Sequence, residues 1–313
     1  MLSGTPRRRG LGAAASSGLV LLSATLWSTE GLLITRLFER GFSPTEVVYY
    51  CFLIGFVLLF GALLLFGRRF LIVPWRDVPA LMALGVIGGG LSFVLYATAI
   101  DLAGAGVAIV LSYTAPAWVS LFAWPFLGER IGRRQALAVV TALVGCGLIA
   151  QMTDPAALQT NLPGVLIGLA SGVANGASVV LGKWLLNKHH PLTVTVFTMG
   201  VGTLSVMPLV PVPFGFDFAP DAWPWLAVFV LGPNLLAPLA FNLGLRVLRA
   251  GLATLLGMWE IVIALLISVL VLSETLDLIR AIGAALVVGS VLIVGHDEPR
   301  NPAAPPVGSG RAG

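Results

Sequence analysis

The feature that most constrains this chain is a succession of apolar runs, each near the 20 residues a helix needs to cross bilayer hydrocarbon. Ten can be counted, at 16–36, 45–66, 78–100, 104–127, 135–151, 162–183, 191–212, 222–245, 250–272 and 279–295. The stretches between them are too short to hold a soluble domain. Composition enters only as support: 58% of the 313 residues are hydrophobic and 10% are charged, against about 25% charged in a soluble domain. That excludes a soluble enzyme or a nucleic-acid module, because the charged face either would need is missing. Cys51 and Cys146 fall inside apolar runs, which argues against a disulfide framework or a cysteine metal cluster. The expected fold is an all-α membrane protein with ten transmembrane helices, in the cell (cytoplasmic or inner) membrane.

Arg7-Arg8-Arg9 before the first run imitates a secretory signal. Nine further spans and the lack of a small-residue cleavage site make that run a first transmembrane helix instead. Residues 1–15 then form a basic tail, and 296–313, rich in Pro, Gly and Ala, are expected to be a disordered tail. Orientation follows from the placement of Lys and Arg. Arg7, Arg8, Arg9, Arg68, Arg69, Arg76, Arg130, Arg133, Arg134, Lys183, Lys188, Arg246, Arg249, Arg300 and Arg311 fall on one side, fifteen of the eighteen. Only Arg36, Arg40 and Arg280 fall on the other. Both termini are therefore expected to be cytoplasmic.

The chain also repeats itself. An offset of 145 lays Gly128-Glu129-Arg130 on Ser273-Glu274-Thr275, Gly106 on Gly251, Ala108 on Ala253 and Tyr96 on Phe241. In the first two spans an offset of 147 pairs Pro44 with Pro191, Arg36 with Lys183 and Gly55 with Gly202. Residues 16–151 and 162–295 then form two repeats of five spans. Five is odd, so the second repeat must enter the membrane from the opposite side. Inverted repeats of this kind mark secondary transporters, with a site between the halves.

Trp27-Ser28, the segment from Ala115-Pro116 to Leu127-Gly128-Glu129, and the segment from Trp259-Glu260 to Leu272-Ser273-Glu274 carry a likeness to a known group. On these residues the chain resembles the drug/metabolite transporter superfamily, specifically the EamA-like ten-helix permeases, over roughly 16–295. Such proteins often carry Glu-Pro where this chain has Glu260-Ile261; Pro116 keeps the proline in the partner helix. The resemblance implies a carrier of amino acids, amines, drugs or related metabolites.

Several residues are candidates for the site. Gly88-Gly89-Gly90 aligns with Pro233-Asn234-Leu235, and Pro238 follows. Paired Gly/Pro interruptions point to a transporter site, although small residues also serve close helix packing. Glu260 lies about ten residues, or roughly 15 Å, into its span. A charge there costs at least about 2.5 kcal/mol, so it should face the interior and have a partner or a proton. Structural bonding to a neighbouring helix is the alternative role. Glu30 is either a second intramembrane acid or a partner of Arg36, while Glu129 and Glu274 at span ends suit structural roles. Tyr113, Trp118, Trp259 and Tyr96 could form an aromatic wall for a cationic amine. Trp75, Trp184, Trp223 and Trp225 fit interfacial anchors. Asn175, Asn234 and Asn242 could serve ligand or packing. His189-His190 beside Lys188 is expected to be solvated.

No HExxH, GxSxG or Walker A pattern occurs, so neither a cofactor nor a metal is expected. The expectation is a secondary transporter of a small solute, most simply an amino acid or other amine. Its partners would be the bilayer and, as a candidate coupling ion, the proton, with no nucleic acid. The alternative is a membrane-embedded enzyme acting on a lipid or isoprenoid, which would need clustered catalytic carboxylates or a nucleophile–base pair.

Overall fold

A computed structural model describes residues 12–103, 108, 111–129, 132–149, 162–211, 215, 218–271 and 277–295. Residues 1–11 of the expected basic tail, the expected C-terminal tail, Gly106, Arg130 and Glu274 lie outside these residues, while 13–15, expected in the basic tail, belong to the first helix. The described elements are helical throughout, with no strand among them. In the first half they are α1 (Ala13–Trp27), α2 (Glu30–Phe38), α3 (Pro44–Phe66), α4 (Val78–Leu84), α5 (Ser92–Ala103), α6 (Ala115–Leu127) and α7 (Arg133–Ile149). In the second they are α8 (Leu162–Leu186), α9 (Pro191–Val206), α10 (Trp223–Phe229), α11 (Ala237–Val247), α12 (Ala250–Gly257), α13 (Trp259–Val271) and α14 (Leu278–Gly295). Among the described residues, seven helical stretches are long and apolar enough to cross a membrane, with shorter apolar helices at Ala115–Leu127 and Leu278–Ile293. The protein is a multi-pass helical membrane bundle.

Local sequence sets the helix ends. Ser43 and Glu46 close a reciprocal capping box at the start of α3, with Pro44 at the first helical position. Pro191 repeats this at α9, where the His190 ring accepts from the Leu192 amide at 3.3 Å. Gly128 (φ 69°) turns left-handed to end α6, so that the Glu129 amide reaches the Ala123 carbonyl at 3.2 Å.

The expected interruptions of the third and eighth spans are wide turns rather than gaps. Gly85–Leu91 joins α4 to α5 and Val230–Leu236 joins α10 to α11, each as seven residues of π-helix, 145 positions apart. Glycine and proline weaken the ordinary ladder there, and Pro233 has no N–H to contribute. The glycines do not line an open cavity. A Cβ on Gly89 would lie 2.7 Å from the Thr198 carbonyl and 2.9 Å from Gly202 Cα, one on Gly90 would strike Ser205, and one on Gly88 would meet Ser178. Close packing on α8 and α9 is their role.

Contacts between the halves are reciprocal. The first π segment packs on α9 and the second on α3; α5 packs on α8 and α11 on α1. The helices α3 and α9 pack on each other, as do α7 and α14.

Candidate functional site

Three bends, none at the glycines, create the interior. The first span turns at Ser28-Thr29, between α1 and α2. The fourth turns at Tyr113-Thr114 before α6, and the ninth turns at Met258, between α12 and α13. Tyr113 and Met258 are 145 residues apart, so the bend recurs in both halves, and in the second half it forms without a proline. At each bend tighter i−3 bonds replace the regular ladder: Thr29 N–H to Leu26, Thr114 to Leu111 and Met258 to Leu255. The hydroxyls of Ser28, Thr29 and Thr114 donate to the carbonyls of Thr25 (2.6 Å), Leu26 (2.8 Å) and Leu111 (2.6 Å). Bent backbone at membrane depth stays satisfied in this way.

The bends place two acids at starts of half-helices. Glu30 is the first residue of α2, and Glu260 the second of α13. A helix N-terminus favours negative charge, so these positions hold carboxylates that apolar surroundings would otherwise reject. The Tyr113 hydroxyl and the Glu30 carboxyl both lie within electrostatic reach of the Glu260 carboxyl. Tyr96 on α5 is within reach of both acids. All four side chains are only half-buried. Glu30 is not the partner of Arg36, whose guanidinium pairs instead with Glu39 at 3.0 Å. Among the described residues neither Glu30 nor Glu260 has a salt bridge. Two acids and two phenols without a basic neighbour can hold protons or attract a cation.

The remaining candidates are distributed more widely. Trp259, like Tyr113 and Trp27, is partly buried and packs against the main core. The Trp118 indole donates to Thr114 Oγ1 at 3.1 Å, and its Cβ rests where Gly176 leaves room. Asn175, next to Gly176 on α8, is exposed. Asn234 is buried and its amide donates to the Cys51 carbonyl at 2.6 Å, a tie between the second π segment and α3. Asn242 donates to Thr195 Oγ1 at 2.9 Å.

Two polar residues act in ways that local sequence does not disclose. Lys183, counted above among the charges of the cytoplasmic side, is buried on α8 (8% exposed). Its ammonium donates to the carbonyls of Leu245 (2.6 Å), Arg246 (3.1 Å) and Leu248 (2.7 Å), the orphan acceptors at the end of α11. Glu129, at the end of α6, accepts from the Ala250 amide at 3.0 Å and 3.2 Å through its two oxygens, capping α12. Burial raises its carboxyl above the ordinary range, against the opposing charges of Lys183 and Arg249. Together they clamp the connection that leads into Met258 and Glu260. Trp27 adds a tie between halves, its indole donating to the Pro233 carbonyl at 3.0 Å. The expected solvation of His189 is also corrected. Its Nε2 lies 3.0 Å from Asp77, which Lys188 also approaches at 3.4 Å, joining loops of the two halves.

No group of three or more metal-binding side chains occurs among the described residues. The EamA-like transporter family model matches residues 16–151 and, a second time, 162–295. A protein of Archaeoglobus fulgidus named only as an uncharacterized transporter is 28% identical over 274 residues, covering 88% of this chain and 94% of that protein. The pseudopaline exporter of Pseudomonas aeruginosa is 31% identical over 165 residues, 52% of this chain and 55% of that protein. A probable terminal-alkyne amino-acid exporter of Streptantibioticus cattleyicolor is 28% identical over 70% of this chain and 73% of its own length. A solved crystal structure shares the fold with TM-score 0.76 at 21% identity, covering 90% of this chain and 96% of its own.

Proposed function

We propose, from the premise that this chain belongs to the EamA-like transporter family, that it moves an amino acid or related amine across the cell membrane in exchange for protons. Membership makes it a secondary transporter of a small solute rather than an enzyme. In this reading ten spans form two inverted five-helix repeats with both termini cytoplasmic, and access alternates between them. The doubled family match, the π segments 145 residues apart and the reciprocal contacts all support such a pair.

The observation that carries the reading is Glu260, within electrostatic reach of Tyr113 and Glu30 and without a salt bridge among the described residues. A carboxylate so placed is neutralised either by a proton or by the ammonium of an incoming solute, so the two compete for one site. Trp259 and the two tyrosines supply faces that attract a cation. That one relative is named as an amino-acid exporter fits the same class. Glu260→Gln retains shape and hydrogen bonding but cannot titrate. In proteoliposomes it should abolish accumulation of labelled amine driven by a pH gradient, while the protein stays folded and inserted. Accumulation at the wild-type rate, with unchanged pH dependence, would remove Glu260 from the mechanism and leave Glu30 as the next acid to test.

A further inference from the structure

Away from the acids, an apolar groove of about 360 Å³ runs between α3 and α9, within the size range of ligand sites. Phe56 and Phe60 from α3 and Val196, Gly200 and Leu204 from α9 line it, and Leu71 closes one end. It opens on the outside of the bundle, since Leu204 is 67% exposed. Both flanking helices are long and apolar enough to cross a membrane, so bilayer is what meets the opening. From Val196 to Leu204 the wall is about 12 Å long, a large part of one leaflet of a hydrocarbon core about 30 Å thick.

The Leu71 end is basic. The Arg69 guanidinium lies 4.7 Å from the centre of the Phe70 ring, and that ring is 4.4 Å from the ring of His190. Arg69 and Arg246 both act on His190, and with burial as the larger cause they hold its imidazole below the usual range. Arg69 thus sits where the groove reaches the 68–76 connection, and Arg246 lies within electrostatic reach of the same His190 ring. The facing acid of that region, Asp77, is engaged by His189 and Lys188.

We infer that this groove is a binding site for an anionic phospholipid, one acyl chain lying between α3 and α9 and the phosphate meeting Arg69 and Arg246. Apolar length alone would accept any lipid; the arginines select negative charge, each contributing roughly a five-fold preference at a membrane surface. The site is separate from Glu260 and does not depend on which solute is moved.

Native mass spectrometry of the purified full chain, titrated with phosphatidylglycerol or phosphatidylcholine, tests this. Wild type should retain the anionic lipid at least ten-fold more tightly. Arg69→Ala combined with Arg246→Ala should reduce that preference to roughly two-fold or less. Leu204→Trp, which fills the groove, should weaken both lipids, whereas Val57→Trp, on an exposed face that does not line it, should change neither. Equal affinity of wild type for the two lipids, or undiminished lipid retention by Leu204→Trp, would overturn the inference. So would a dimer of this chain that buries Leu204 and excludes lipid.

Discussion

Replacing Lys183 by Met should destabilise the protein through α11 rather than through any loop. The ammonium holds three carbonyls at 2.6, 2.7 and 3.1 Å, and a hydrogen bond to a charged group contributes about 1.5–3 kcal/mol. The three bonds share one cation, so they do not add. Removing a buried lysine also recovers its own desolvation, several kcal/mol in a dry interior. The methionine fills the space but leaves the end of α11 with three unmet acceptors and without a cation at the negative end of its dipole. A net loss of about 3 kcal/mol follows. At roughly 2 °C per kcal/mol for a chain of this size, Tm in detergent should fall by about 6 °C. Tryptophan fluorescence will report it, since Trp184 adjoins the site. Lys188→Met, which removes an exposed ion pair at 3.4 Å, should shift Tm by no more than about 2 °C, the value of a surface pair. If Lys183→Met melts within 1 °C of wild type, the capping argument is wrong.

Three further substitutions follow from packing. The Tyr49 hydroxyl is buried with no partner among the described residues, on a ring that packs edge-on to Tyr50 at 5.1 Å. Tyr49→Phe should therefore stabilise by about 1 kcal/mol; a Tm below wild type would contradict this. Gly89→Val should cost about 3 kcal/mol, because its Cβ meets backbone of α9, whereas Gly88→Ala should cost less, because it meets side-chain atoms of Ser178 and Leu84 rather than backbone. Thermal melts in the reverse order would refute that ranking.

Much of the architecture was legible before any coordinates. The interruptions read from Gly88–Gly90 and Pro233 appear as π segments at Gly85–Leu91 and Val230–Leu236, because backbone that lacks Cβ atoms or an N–H carries its weakness locally. What those residues do was not legible. The glycines serve contact with α8 and α9, and Asn234 bonds Cys51. The bends that do shape the acidic interior, at Ser28-Thr29, Tyr113-Thr114 and Met258, carry no common residue signature. They arise where tighter bonds and side-chain hydroxyls satisfy a turn that packing imposes.

By itself, the sequence determined that this is an all-helical membrane protein, that its two halves repeat at an offset of 145, and that Glu260 must find company inside. Span length, hydropathy and the cost of a charge in hydrocarbon are properties of each segment against the bilayer, so they need no knowledge of neighbours. Only the tertiary structure decided which face each helix turns inward. It brought Glu30, Tyr96 and Tyr113 to Glu260 from three different spans. It also turned Lys183, the last residue of its apolar run, into a buried cap for a helix more than fifty residues away. Rotation about a helix axis changes no hydropathy along the sequence, yet it determines whether a polar atom meets lipid, a carbonyl or another acid.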